Sequence, residues 1–138
     1  MFVTHSMTLT DEYLKADTIA TALFDGLNQK IINSGAEMAF HDAPLVVDML
    51  ASSLLLEKIS CEVMYGYRGS VEHWWIAVDG LDIDPLGKFI QPSQLLQTVE
   101  IDAREKLKAL FDAVGAPMGL GNPTLNGPLL KATVNALH

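Results

Sequence analysis

The sequence predicts an α+β fold, with a buried central helix packed on a small antiparallel sheet and further helices towards the C-terminus. Three observations carry this. A long amphipathic pattern and then an almost wholly apolar helical pattern occupy residues 11–56. Residues 59–85 then alternate apolar with polar side chains around an Asp79-Gly80 dipeptide, as strands joined by tight turns do. Helical periodicity returns after residue 93.

With 138 residues the chain is expected to form a single domain, 1–138, large enough to bury a core. Nine basic against seventeen acidic residues give a net charge of −8, which argues against nucleic acid as a partner. No apolar run reaches the roughly 20 residues of a membrane span, and the N-terminus lacks a signal-peptide pattern, so the expectation is a cytoplasmic protein without membrane association. The single Cys61 excludes an internal disulfide and fits a reducing compartment. His5, His41, His73 and His138 have no metal-ligand spacing, and neither a metal nor another cofactor is expected.

The first helix begins at Thr10-Asp11-Glu12, where Thr10 or Asp11 can cap, and stops at Asn33-Ser34-Gly35. Its apolar side is read as Tyr13, Leu14, Ile19, Leu23, Leu27, Ile31 and Ile32. A second helix starts near Ala43-Pro44, with Asp42 as its cap and proline in the first turn, where a missing N–H costs nothing. Leu45, Val46, Met49, Leu50, Leu54, Leu55 and Leu56 surround much of it, which marks it as the central helix. A strand follows from Ile59 to Tyr67, then a turn at Arg68-Gly69-Ser70. Ser93 can cap a short helix from Gln94 to Val99, and a stronger helix runs from Ala103 to Val114, with Leu107, Leu110, Phe111 and Val114 inward. A Gly/Pro-rich connection over 115–124 and a last helix over about 128–137 complete the reading.

The informative stretch is the hairpin over residues 71–85. With Asp79 and Gly80 as the central residues of a type I′ turn, Val78 faces Leu81, Trp75 faces Asp84 and His73 faces Leu86. His73, Trp75, Asp82 and Asp84 then share one face of the sheet. His73 and Asp84 become diagonal neighbours, roughly 7–8 Å apart along the backbone and within reach of an imidazole–carboxylate hydrogen bond. A histidine held by a carboxylate is two-thirds of a nucleophilic triad, with Asp82 as the rival partner of His73. Asp84 has a structural alternative as a cap before Pro85.

A thiol nucleophile works best at the start of a buried helix, where free N–H groups stabilise a thiolate and an oxyanion. That position in the central helix is occupied by His41-Asp42-Ala43-Pro44. Cys61 stands in triad order with His73 and Asp84 but sits opposite about Val78 when Gly66 faces His73. It is then roughly 17 Å from His73 at about 3.3 Å per residue, and reads as a structural thiol. Gly66 opposite His73 leaves room for a substrate, or is an ordinary strand-end glycine. Trp75 packs beside the pair and Trp74 faces the other way into the core.

Leu54-Leu-Leu-Glu-Lys-Ile-Ser-Cys-Glu-Val-Met-Tyr-Gly66, His73-Trp-Trp75 and Asp79-Gly-Leu-Asp-Ile-Asp-Pro85 together resemble the transglutaminase-like branch of the papain-like cysteine enzymes. The resemblance covers about residues 41–90. It implies a Cys-His-Asp triad acting on an amide bond of a peptide or protein, as peptidase, deamidase or acyltransferase. Counting back from Gly66 by the family's helix plus strand places its cysteine at Ala43, with His73 and Asp84 as the other members. The leader-peptide proteases of lasso-peptide maturation carry a like His-x-Trp strand. The chain departs from the pattern at Ala43, and at Leu86 where the family often has Thr. Ala43 fits either a replaced nucleophile or a natural pseudoenzyme that holds a peptide or protein in the same cleft. A further reading is a peptidoglycan amidase, with Asp42-Ala43 in place of an Asp-Cys pair.

Overall fold

The computed structural model describes residues 9–116 and 118–119. The expected helix over 128–137 and most of the Gly/Pro connection lie outside them. The architecture is mixed α+β. In chain order it runs α1 (Asp11–Asn33), a short 3₁₀ turn (Phe40–Asp42), α2 (Ala43–Leu56), β1 (Glu62–Arg68), β2 (Val71–Val78), β3 (Leu81–Ile83), α3 (Pro85–Ile90), β4 (Leu96–Thr98) and α4 (Ala103–Val114). The four strands form one sheet in the order β3-β2-β1-β4, and all three pairings are antiparallel.

α1 starts where its capping residue predicts: the Thr10 hydroxyl accepts from Tyr13 N at 3.0 Å. That hydroxyl also donates to Asp79 Oδ2 at the tip of the hairpin, tying the helix start to the sheet. The buried stripe of α1 is Ala16, Ala20, Phe24 and Leu27, whereas Leu14 and Ile32 are exposed. Small alanines at i and i+4 let α1 lie close against its neighbours.

α2 is the central helix. Ala43, Val46, Val47 and the whole run from Asp48 to Leu54 are buried, while Leu45, Leu55 and Leu56 are exposed. Asp42 stands at the N-cap position but does not cap α2; its Oδ2 accepts from Ala39 N at 2.9 Å and closes the preceding turn instead. At the other end Ile59 N donates to the Leu54 carbonyl and Lys58 N to that of Leu55, the paired bonds of a Schellman stop. Lys58 occupies the left-handed position there, with φ 59°. Because a Cβ is disfavoured in that conformation, Lys58→Gly is expected to raise unfolding free energy by about 1 kcal/mol. Chemical denaturation measures this, and an unchanged or lower midpoint contradicts it.

The hairpin has the expected register at its turn. Val78 pairs with Leu81, and Asp79 and Gly80 both have positive φ (53° and 78°), as a type I′ turn requires. The ladder ends at Ile76–Ile83, so the expected pairs Trp75–Asp84 and His73–Leu86 do not form. Pro85 has no N–H to give to a ladder, and at that point the chain turns into α3 with Asp84 as its cap. Leu86 is a buried helix residue rather than a strand residue. β1 starts later than read and runs on through Arg68, so the turn to β2 is Gly69-Ser70 alone. Gly66 pairs with His73 as expected.

The helix expected over Gln94–Val99 is replaced by β4, whose residues Leu96–Thr98 pair with Arg68–Gly66. Unlike the equally short α3, which is held by the Asp84 cap, this segment has the open edge of β1 within reach, and that edge offers backbone partners. α4 has the expected limits, and Asp102 caps it by accepting from Glu105 N at 3.1 Å. Its inner face is Ala103, Leu107 and Phe111; Leu110 and Val114 point outward. Trp74, Ile76 and Val78 of β2 join α1, α2 and α4 in one apolar core. Strand alternation turns His73 and Trp75 to the other face.

Candidate functional site

The site is assembled from the ends of short elements. β2 supplies His73, and α3 begins on Asp84, whose carboxylate caps it by accepting from Gly87 N at 2.9 Å. This fixes the carboxylate, and His73 Nε2 lies 2.8 Å from the same oxygen, Asp84 Oδ1. The other oxygen, Oδ2, accepts from an Arg68 guanidinium nitrogen at 3.1 Å. His73, Asp84 and Arg68 are respectively 0%, 3% and 5% exposed, so all three are taken out of water together. Such a group is tolerated only when its charges cancel and its polar atoms are partnered. The remaining guanidinium nitrogens donate to the Gln91 carbonyl at 2.8 Å and the Pro92 carbonyl at 3.4 Å, which pins the chain leaving α3.

Two glycines make room for this packing. A Cβ on Gly87 would stand 2.1 Å from Asp84 Oδ2 and 2.7 Å from Arg68 Cδ. A Cβ on Gly66 would stand 1.9 Å from the Gln97 carbonyl oxygen. The space expected for a substrate at Gly66 is therefore taken by the backbone of β4.

Trp75 lies beside the pair as expected. Its ring stacks near the imidazole, with centroids 6.0 Å apart and planes 21° from parallel. Its Nε1 donates to Asp82 Oδ1 at 2.9 Å, which engages Asp82 and leaves Asp84 as the partner of His73. Trp74 packs on the opposite face against Tyr65, with centroids 4.8 Å apart. Phe40 meets the imidazole edge-on at 4.9 Å.

Ala43 opens α2, is 1% exposed and belongs to the apolar core. Its connection to the pair runs through Phe40, three residues earlier in the turn that leads into the helix. His41 is exposed and stands 3.4 Å from the Asp42 carboxylate, directed at its neighbour rather than at His73.

The remaining atom of interest is His73 Nδ1. It is buried and has no hydrogen-bond partner among the described residues, while Nε2 on the same ring is held by Asp84. A buried imidazole nitrogen without a partner is uncommon, because a lost hydrogen bond is not repaid inside a protein. The ring is thus oriented from one side and left unengaged on the other, the arrangement a general base has before its proton donor is added.

Cys61 is remote from this centre. It lies just before β1, beside a groove of about 310 Å³ that Glu62, Ile101 and Arg104 also line. Burial pushes its thiol up to about 11, against which the nearby Arg104 charge is a smaller opposing effect. Tyr65 is pushed up to about 12, chiefly by the hydrogen bond its hydroxyl donates to Glu72. Both groups favour the protonated state in the fold. Their contribution to stability is therefore complete below the ordinary thiol value and is lost as pH rises through about 9 to 12. We expect Cys61 alkylation in the native chain to be negligible at pH 7 and to rise with a midpoint near 11, followed by iodoacetamide kinetics. A midpoint near 8.5 contradicts the placement.

No group of three or more His, Cys, Asp or Glu is placed to hold a metal ion among the described residues, and no helix there is long and apolar enough to cross a membrane. Arg68 is the site residue the sequence reading passed over, having placed it in a turn. Its signal was parity: with Gly66 opposite His73, Arg68 falls on the His73 face of β1, two residues along. No protein-family model, no curated protein and no solved structure matches the chain.

Proposed function

We propose that the fold is a papain-like, transglutaminase-like scaffold for attack on an amide bond of a peptide or protein, with Ala43 at the place of the nucleophile. The observation that carries this reading is the state of His73: Nε2 held by Asp84, Nδ1 buried and without a hydrogen-bond partner among the described residues. A thiol at the start of α2 would give its proton to Nδ1. The thiolate would attack the substrate carbonyl, the imidazolium would protonate the departing amine, and the free N–H groups of the first turn of α2 would hold the oxyanion. Water or an amine would then release the acyl group, giving hydrolysis, deamidation or transfer. Support for the nucleophile position comes from Phe40, which brings the segment opening α2 against the imidazole.

A second reading is favoured by Ala43 itself. A methyl group packed in the core at the start of α2, together with a His–Asp pair closed from water, suits a catalytically silent relative that binds a peptide or protein. One experiment separates them. Ala43→Cys is offered a thiol-directed activity probe beside the native chain and Ala43→Cys/His73→Ala. The enzyme scaffold predicts labelling only where both the new thiol and His73 are present. A folded Ala43→Cys that labels no faster than the native chain leaves only the binding reading.

A further inference from the structure

We propose that Arg68 is a positioning residue that sets which nitrogen of His73 carries the proton. The proposal rests on the reading of His73 as a base and adds the residue that makes Nδ1 the basic atom. Arg68 is permanently cationic, and with Asp84 it forms an ion pair of near-complete burial, at 3.1 Å. A carboxylate so paired is ionised and can only accept hydrogen bonds. Oδ2 takes the Arg68 N–H, and Oδ1 takes the Gly87 N–H and faces His73 Nε2. Nε2 must therefore be the donor. The charges of Arg68 and Asp84 already cancel, so a proton added to Nδ1 would be an unbalanced charge away from water. In the neutral imidazole the proton is then on Nε2 and the lone pair on Nδ1.

Without Arg68 the balance of charge changes. Asp84 would be an unpaired carboxylate in a closed site, and it has two ways to avoid that. It can take a proton and donate it to Nε2, which moves the imidazole proton to Nδ1. Or it can stay ionised and draw a second proton onto the imidazole, which again places one on Nδ1. In both cases Nδ1 loses its lone pair. The close fit around the pair, where Gly87 has no room for a Cβ, keeps the carboxylate from turning to another partner.

The test is ¹⁵N NMR of the His73 ring in the full chain at pH 8, with the signal identified by its loss in His73→Gln. The native chain is expected to show a protonated Nε2 and a bare Nδ1. Arg68→Met is expected to shift the Nδ1 resonance into the protonated range, and Arg68→Lys, which keeps the charge, to restore the native pattern. A native ring protonated on Nδ1 overturns the proposal without any variant, as does a folded Arg68→Met with the native pattern. If Arg68→Met does not fold, the native spectrum and Arg68→Lys decide: a protonated Nδ1 in either refutes the assignment. A merely structural arginine would lower stability and leave the tautomer alone. The readout needs no thiol at position 43, so its failure and the failure of the amide-bond reading are separate results.

Discussion

Asp84→Ala is expected to lower the unfolding free energy by about 3–5 kcal/mol, the cost of leaving one member of a buried ion pair alone. Three groups lose their partner at once: Arg68, His73 and the Gly87 amide that starts α3. The effect should exceed that of Asp82→Ala by several fold. Asp82 is exposed and its carboxylate accepts from the Trp75 indole, so its loss removes a hydrogen bond worth about 1 kcal/mol. Urea denaturation of the two variants makes the comparison. Equal midpoints mean that the Arg68–Asp84–His73 group contributes no more than a surface contact.

The second large effect is one of reactivity. In Ala43→Cys the molecule holds two thiols in opposite settings. Cys61 is pushed up to about 11 by burial and is almost wholly protonated at neutral pH. The new thiol would stand at the start of α2, with the dipole of a fourteen-residue helix behind it and His73 as base. Its alkylation at pH 7 is expected to outpace that of Cys61 by about 10²–10⁴-fold, and His73→Ala should remove most of that advantage. Mass spectrometry of the labelled peptides assigns each rate to its residue. Comparable rates at the two positions would show that α2 and His73 do not act together.

How far the sequence foretold this site depends on which physical rule was in control. The hairpin turn and the Gly66–His73 register were legible, because Asp-Gly at a type I′ turn leaves little freedom and strand alternation does the rest; the partnership of His73 with Asp84 was legible too, although the ladder stops at Ile76–Ile83, short of Asp84. The route by which Asp84 arrives was not. The sequence places it as a strand residue diagonal to His73, with a cap before Pro85 as the structural alternative; the alternative holds, since Asp84 caps α3, a helix of only six residues whose signal is no more than Asp-Pro. The same rule applied to Asp42-Ala43-Pro44 located α2 but gave its cap bond wrongly, since Asp42 turns back to Ala39. Short polar side chains have several amides in reach, and sequence does not rank them.

Residues Gln94–Val99 show a different failure. Their local pattern is ambiguous, and the decision rests on the unpaired edge of β1 some thirty positions earlier, a long-range term invisible in a local window. Arg68 was hidden for a related reason. An arginine beside Gly69-Ser70 looks like turn decoration, and only the exact length of β1 brings it inside. The glycines at 66 and 87 belong with it. Neither was read as a packing requirement, yet each is a place where backbone or a charged pair occupies the volume of a missing Cβ. Ala43 is singled out by what the family resemblance implies, and it does open α2; its enclosure in the apolar core follows from the tertiary packing of α1, α2 and β2.

The central claim, that α2 begins where a nucleophile would be activated by a poised His73–Asp84 pair, is tested most directly by the ionisation of a thiol placed there. The pH dependence of alkylation in Ala43→Cys, with Cys61 replaced by Ser to leave one thiol, gives that value. Activation by the helix start and by the imidazole predicts a midpoint well below the ordinary thiol value of about 8.5, moving up when His73 is also changed to Ala. A midpoint at or above about 8.5 that ignores His73 would contradict the account, because burial alone would then govern the position, as it does at Cys61.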